Sequence, residues 1–193
     1  MKKGYIILLL MVVLCVNAHA QAKGVSQNNF NESVQALKWF FKQIINKSIY
    51  YNYYLGDDLY TERSFINEAK VSIINNNQVE LYIYLTTQKY DVHSSVMIRS
   101  EHGESVVFDP SSIGNIKLKG KLSDYSKSEL GLLVINFTKE VEKHNYLQKK
   151  KNEDPTLLDA PLVYEFELPY LKSDTKNPEA LQNVFEKLRE VKN

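Results

Sequence analysis

Tyrosines are the side chains of this chain best suited to specific recognition, and they are concentrated in one short stretch. Residues 49–60 contain five tyrosines, Gly56 and the pair Asp57 and Asp58. A tyrosine ring can stack on a sugar, a peptide or another flat ligand while its hydroxyl forms a hydrogen bond. The same rings could equally cover the edge of a core in a connection between a helix and a sheet. If the stretch binds a ligand, the expected contacts are Tyr51, Tyr54 and Tyr60, together with the outward-facing Tyr82 and Tyr84 of a later strand.

Catalytic and metal-binding patterns are absent from the sequence. Beyond the first twenty residues the only histidines are His93, His102 and His144, and no two of them have the i, i+4 spacing of a zinc helix. There is neither a G-x-S-x-G nucleophile elbow nor a glycine-rich phosphate loop. We therefore expect no metal and no cofactor. A small hydrolase whose site is assembled from distant residues, such as His93, Asp109 and Glu165, remains an alternative, because triads are defined by geometry.

The start of the chain has the pattern of an export signal. Lys2 and Lys3 precede an apolar run, and Ala18-His19-Ala20 is a small-x-small cleavage site. We expect residues 1–20 to be a cleaved signal peptide, residues 21–30 a flexible leader and residues 31–193 one domain, exported to the periplasm or secreted by a bacterium. Leu14 before Cys15 argues against a lipoprotein, and no transmembrane segment is expected after cleavage.

Charge and cysteine content exclude further classes of protein. Of the 24 basic residues, Lys2 and Lys3 belong to the signal, which leaves 22 against 23 acidic residues and a net charge of −1. Nucleic-acid binders need a basic excess, so we expect no nucleic-acid partner. Cys15 is the only cysteine, so the mature domain has no disulfide and depends on its core for stability.

Hydrophobic periodicity predicts a helix at each end of the domain. A wide apolar stripe predicts the first helix from about Asn31 to Lys47. Asn177 and Pro178 are typical of a helix start, and Leu181, Val184, Phe185, Leu188 and Val191 then form an apolar stripe.

Period-two patterns between these helices predict strands. Ala69–Ile73 and Gln78–Thr87 flank three asparagines that suit a tight hairpin. Val92–Arg99 and Ser105–Phe108 are the next strands, separated by a turn at Glu101–Glu104. Further strands are expected around Ile116–Lys119, at the doubly apolar Leu132–Phe137 and at Leu162–Leu168, which Pro169 ends, whereas Lys139–Asp154 should form a short helix or a long loop.

The predicted fold is α+β, with about seven mostly antiparallel strands in a curled sheet or barrel, an N-terminal helix and a C-terminal capping helix. The order of elements from Phe65 to Val191 is similar in outline to the pleckstrin-homology-like fold. No residue motif accompanies that resemblance, so it implies no ligand site. The favoured hypothesis is an exported, non-enzymatic binding domain for an unidentified protein or small molecule. The alternatives are the hydrolase and a structural subunit of a cell-envelope complex.

Overall fold

The structure is a computed structural model that describes residues 27–55, 58–75, 77–91, 97–119, 127–147, 156–174 and 176–191. The predicted signal peptide and His93 lie outside these ranges. Within them the chain forms two helices and one antiparallel sheet of eight strands, so the α+β prediction is confirmed. The elements in order are helix α1 (27–44), strands β1 (Ser48–Leu55), β2 (Asp58–Ile74), β3 (Gln78–Asp91) and β4 (Met97–Phe108), a 3-10 turn (Pro110–Ser112), strands β5 (Ile113–Leu118), β6 (Leu130–Tyr146), β7 (Leu157–Asp159) and β8 (Leu162–Leu171), and helix α2 (Asn177–Arg189).

Strand β6 organises the sheet. The order is β1-β2-β3-β4-β6-β5, and both β7 and β8 also pair with β6. The first half of β6 lies between β5 and β8, and its second half lies between β4 and the β7–β8 side. The sheet is open but strongly curled. The curl brings the segment before β6 next to β1, where the N–H of Glu129 donates to the Ser48 carbonyl at 3.0 Å.

One hydrophobic core lies between the helices and one face of the sheet. Along β3 the core side chains alternate with polar or aromatic ones, as expected for a strand with one buried face. Both helices contribute to the same cluster, so the predicted packing of the C-terminal helix on the sheet is confirmed. The fully buried members include Leu37 and Phe41 from α1, Val79, Leu81 and Ile83 from β3, and Leu181, Phe185 and Leu188 from α2.

The helix boundaries differ from the prediction. Helix α1 already includes residue 27, and Phe30 is only 1% exposed, so part of the expected flexible leader belongs to the core. Asn46, with φ 64°, follows α1 in the left-handed conformation that often ends helices. Asn177 is not the N-cap of α2: Lys176 occupies that position without a side-chain hydrogen bond, and Asn177 is the buried first residue of the helix.

The strands are longer than the sequence patterns indicated. The β2–β3 hairpin is confirmed, with Asn75 at φ 41° in its turn. The expected turn at Glu101–Glu104 is wrong, since these residues lie inside β4. The expected helix or loop from Lys139 is also wrong up to Tyr146, because β6 continues to that residue. The tyrosine-rich connection is instead β1, which pairs with β2 along its whole length.

Candidate functional site

The tyrosines selected from the sequence do not form one surface. Tyr51 and Tyr54 lie on β1, and their side chains lie outside the described part of the structure. Tyr60 lies on β2, eight residues before the position that pairs with Tyr84. At about 3.3 Å per residue, roughly 26 Å of strand separates them. Tyr82 and Tyr84 therefore belong to a different place on the sheet from Tyr60, whose ring instead contacts the Lys89 ammonium, 4.4 Å from its centroid.

Three tyrosines from two strands converge on Gly103 of β4. A Cβ built on Gly103 would lie 3.2 Å from Tyr84 Cδ2, 3.3 Å from the Tyr82 hydroxyl and 3.4 Å from Tyr146 Cβ. A glycine within a strand often marks such a close approach, because a larger residue would occupy the same space. We call Tyr82, Tyr84 and Tyr146 around Gly103 the tyrosine face.

The tyrosine face is on the side of the sheet opposite the helices. Leu81 and Ile83, which flank Tyr82 along β3, belong to the core cluster that contains both helices. Successive side chains of a strand point to opposite faces, so Tyr82 and Tyr84 point away from that cluster. Neither described helix therefore covers this side of β3.

Only two of the three rings of the tyrosine face are accessible. Tyr84 is 6% exposed, and its hydroxyl donates to Glu101 Oε2 at 3.2 Å. Its ring lies on the outer face of the sheet, as predicted, but packs over Gly103, which leaves little of the ring for a ligand to contact. Tyr82 and Tyr146 are partly exposed and meet edge to face with their centroids 5.7 Å apart. Tyr146 was missed in the sequence because it lies in a charged segment with no strand pattern.

A chain of polar contacts connects this face across three strands. Ser105 Oγ donates to Glu80 Oε1 at 3.1 Å and lies 3.3 Å from the Tyr146 hydroxyl. That hydroxyl lies 3.5 Å from Nδ1 of His144, whose Nε2 is 3.3 Å from Glu142 Oε2. His144 is thus part of an extended polar network. The network holds the Tyr146 hydroxyl in a defined position.

The environment of Tyr82 keeps its phenol protonated. Burial raises the pKa of Tyr82 well above its usual value near 10, and the negative charge of Glu68 and neighbouring groups, including Glu80, acts in the same direction. Lys70 pairs with Glu68 and places its ammonium 5.9 Å from the centroid of the Tyr82 ring. At neutral pH the Tyr82 hydroxyl is therefore a hydrogen-bond donor, and the surrounding carboxylates are acceptors.

A cleft lies at the Glu142 end of the polar network, where β6 is irregular. Its volume is about 430 Å³, within the range typical of small-molecule sites. Glu142 lines the cleft and also contacts His144, so it connects the cleft to the polar network. Besides Glu142 the cleft has two further carboxylates and one lysine among its walls. The lining residues are Gln78, Val107, Phe108, Asp109, Lys139, Glu140, Val141, Glu142 and Leu162.

Of the residues considered for a hydrolase, His93 lies outside the described residues, and Asp109 lines the cleft whereas Glu165 does not. Asp109 Oδ1 accepts hydrogen bonds from the Ser111 backbone and hydroxyl, at 2.8 and 2.6 Å, and so caps the 3-10 turn. Glu165 is exposed on β8 opposite Asn136 and does not line the cleft. Ser105 lies in the polar network but is completely buried, so its hydroxyl cannot meet a substrate. Among the described residues no group of three or more His, Cys, Asp or Glu side chains could hold a metal ion.

Comparisons with known proteins add no function. No family model, no curated protein and no solved structure matches this chain. In the described part of the chain, neither helix has the length and apolar character needed to cross a membrane.

Proposed function

We propose that this protein is an exported, non-enzymatic binding domain whose ligand packs on the two partly exposed rings of the tyrosine face, Tyr82 and Tyr146. The observation that carries this proposal is the convergence of Tyr82 and Tyr146 over Gly103, on the side of the sheet away from both helices. The export signal inferred for residues 1–20 supports a role outside the cytoplasm.

The two partly exposed rings offer a preorganised apolar surface. Each ring is fixed by neighbours, because Tyr82 packs on Tyr146 and the Tyr146 hydroxyl contacts Ser105 and His144. A ligand that stacks there does not need to order flexible side chains, so little of the contact energy is lost as conformational entropy. Rigid aromatic side chains are for this reason common in recognition surfaces.

The groups around the rings define the chemistry of a suitable ligand. Glu80 and Glu142 provide carboxylate acceptors at the two ends of the polar network, and the cleft extends from Glu142. A ligand with a flat or aliphatic face and several hydrogen-bond donors satisfies both features. Sugars and peptides have this combination of groups.

The experiment is a nuclear magnetic resonance titration of the protein with labelled tyrosine rings. Neutral oligosaccharides and short peptides of different charge are the probes. We expect a binding probe to shift the ring resonances of Tyr82 and Tyr146, and we expect Tyr82→Ala or Tyr146→Ala to weaken binding at least tenfold. The matched control is Tyr90→Ala, which removes a ring that is 40% exposed near the far end of β3.

Two results would contradict the proposal. One is binding that shifts resonances elsewhere and leaves those of Tyr82 and Tyr146 unchanged. The other is equal loss of affinity in the Tyr90→Ala control and the Tyr82→Ala variant. Circular dichroism of each variant separates a loss of binding from a loss of fold.

A further inference from the structure

The described sheet has four outer strands, β1, β5, β7 and β8, and the three longest of them, β1, β5 and β8, have free edges that need protection. Strands β1 and β5 end the main strand order, and β8 pairs only with β6 among the described strands. A free edge presents unpaired N–H and C=O groups, and proteins usually cover such groups or leave them for a partner. These three edges differ in how far other parts of the chain cover their free N–H and C=O groups.

The edge of β1 is covered at its beginning by the segment before β6. Besides the Glu129 N–H bond to the Ser48 carbonyl, the Tyr50 N–H donates to Ser128 Oγ at 2.8 Å. The Ser48 N–H donates to Glu129 Oε2 at 3.1 Å. The first three residues of this edge are therefore covered by the curling of the sheet.

The edge of β5 is covered by helix α2. Arg189 Nη1 donates to the Gly114 carbonyl at 2.8 Å, and Gln182 Nε2 donates to the Ile116 carbonyl at 3.3 Å. Two side chains of one helix thus occupy two of the outward carbonyls of β5.

The direction of the free groups on β8 follows from its contacts with β6. The Lys143 N–H donates to the Pro161 carbonyl at 2.9 Å, and the Lys172 N–H donates to the Glu129 carbonyl at 3.0 Å. Backbone groups along an antiparallel strand alternate between its two sides. The backbone groups of Pro161 and Lys172 therefore point toward β6. Alternation from Pro161 directs the N–H and C=O groups of Leu162 away from β6, and alternation from Lys172 does the same for Glu165 and Glu167. The irregularity of the β6–β8 pairing lies between these two segments.

Pro169 agrees with this assignment. It pairs with Leu132, whose carbonyl accepts from the Lys119 N–H on the β5 side and so points away from β8. The missing N–H of Pro169 is therefore not needed for pairing with β6. Pro161 and Pro169 bracket the free edge, which extends over the seven residues from Leu162 to Leu168.

Exposed apolar side chains accompany this uncovered edge. Leu162 and Tyr164 are each 58% exposed, and Leu157 and Leu158 on the adjoining β7 are 52% and 60% exposed. Large apolar side chains that cluster at an unpaired edge are typical of a surface that a partner covers.

We propose that this edge of β8 receives one extended strand from a partner protein, with basic and apolar side chains alternating along it. The proposal is separate from the tyrosine face and does not depend on it. Strand addition of this kind takes its affinity from backbone hydrogen bonds and its specificity from side chains. Apolar side chains of the partner would cover Leu162 and Tyr164, and a basic side chain would lie opposite Glu165.

The negative charge of the β8 edge favours pairing with a strand of a different protein over pairing with a second copy of this chain. Glu165 is exposed and forms no ion pair within the described residues, whereas Glu167 pairs with Lys119. Symmetric antiparallel pairing of two β8 strands about Glu165, Phe166 or Glu167 would place glutamates directly opposite each other. Like charges in that position are destabilising, and opposite charges are stabilising.

The test uses two synthetic peptides as probes, one alternating lysine with valine and one alternating glutamate with valine. We expect the lysine peptide to bind and to slow hydrogen exchange at the amides of Leu162 and Glu165. We expect Glu165→Lys to reverse the preference between the peptides, with a change of about two- to fivefold for each peptide. Glu165→Pro should abolish binding, because it removes an outward N–H that pairing with β6 does not use.

The matched control is Glu179→Lys, which makes the same charge change at an exposed position of α2. An equal reversal in this variant would show that only net charge matters and would overturn the proposal. Binding of neither peptide at millimolar concentration, with the Leu162 and Glu165 amides unprotected, would also overturn it. Sedimentation of the protein alone should show a monomer, and a dimer lost on Glu165→Pro would identify a second copy as the occupant instead.

Discussion

The ring of Tyr170 on β8 lies directly against Gly131 on β6. The two residues are opposite each other in the sheet, and a Cβ built on Gly131 would be 2.4 Å from Tyr170 Cζ and 2.5 Å from its hydroxyl. Both residues are buried. The Tyr170 ring thus fills the space that a side chain at position 131 would take. Such packing of an aromatic ring over a glycine on the neighbouring strand stabilises the sheet at the glycine.

Substitution of Gly131 should therefore destabilise the protein. Gly131→Ala forces the Tyr170 ring out of its position, and we expect a loss of about 1–3 kcal/mol in the free energy of unfolding, as is typical of overpacked sites. Urea denaturation measures this loss. In a double-mutant cycle, Tyr170→Leu should remove much of the cost of the alanine, and strictly additive effects would contradict the contact.

This pair illustrates what the sequence does and does not predict. The apolar run from Leu132 to Phe137 predicts a strand inside the sheet, and β6 contains it. The role of Gly131 depends on a tyrosine 39 positions away, and no local pattern contains that information. The closing strand and α2 were predictable because their apolar periodicity is local.

The candidate site was less predictable than the fold for a related reason. Glu101–Glu104 contains a glycine and three polar residues, which locally favours a turn, yet Gly103 is required in β4 by rings from its neighbours. Tyr146 lies in a charged extension of β6 whose pairing with β4 is not visible in its own composition. The high strand propensity of tyrosine is the local signal that favours a strand at β1.

The raised pKa of Tyr82 predicts a loss of stability in alkaline solution. Its folded pKa exceeds its unfolded value near 10, so its contribution is complete below pH 10 and is lost as pH rises towards the folded pKa. Tyr82→Phe should make the free energy of unfolding fall less steeply from pH 9.5 upward. Urea denaturation at several pH values measures this slope.

The carboxylates near Tyr82 provide the control for that measurement. Glu68→Gln removes one of the charges that raise the pKa of Tyr82, so the alkaline loss should still begin near pH 10 but should end at a lower pH and be smaller in total. Glu179→Gln removes an equal charge from an exposed position on α2. An identical shift in both variants would attribute the effect to net charge and would contradict the local explanation.

The lowered pKa of Glu129 predicts that stability is lost in acid, the opposite pH dependence to that of Tyr82. Burial by itself would raise the pKa of Glu129, but hydrogen bonds from Lys47 and Ser48 and the charge of Lys47 lower it overall. The resulting stability is present above the unfolded carboxyl pKa of about 4.3 and is lost as pH falls through the folded value. Glu129→Gln should be less stable than the native protein at pH 7, and their stabilities should converge near pH 3.

The position of Glu129 gives this experiment a second readout. Its N–H and carboxylate both bind Ser48, so they join the segment before β6 to the edge of β1. Hydrogen exchange at Ser48 should become faster in Glu129→Gln, while exchange within the β2–β3 hairpin stays unchanged. Glu186→Gln on α2 is the matched charge control, and faster exchange in both variants would contradict a local role.

Helix α2 should contribute a large share of the stability through one side chain. Phe185 is completely buried in the core cluster, whereas its neighbour Glu186 is exposed. Phe185→Ala should lower the free energy of unfolding by about 3–5 kcal/mol, because it removes apolar contacts and leaves a cavity. Glu186→Ala should change it by less than about 0.5 kcal/mol. Comparable values for the two variants would mean that α2 does not pack on the sheet.

Gly103 provides a test of the tyrosine face that does not require the ligand. The distances of 3.2–3.4 Å from its position to Tyr84, Tyr82 and Tyr146 leave space for a methyl group only if these side chains move by a few tenths of an ångström. Gly103→Ala should therefore shift the ring resonances of all three tyrosines slightly, and Gly103→Val should shift them strongly and destabilise the protein by about 1–3 kcal/mol. Because the Tyr82 hydroxyl is one of the closest atoms, Tyr82→Phe should relieve part of the effect of Gly103→Ala. Unchanged tyrosine resonances in Gly103→Val would mean that the three rings do not meet over this strand. That result would contradict the binding surface proposed for them.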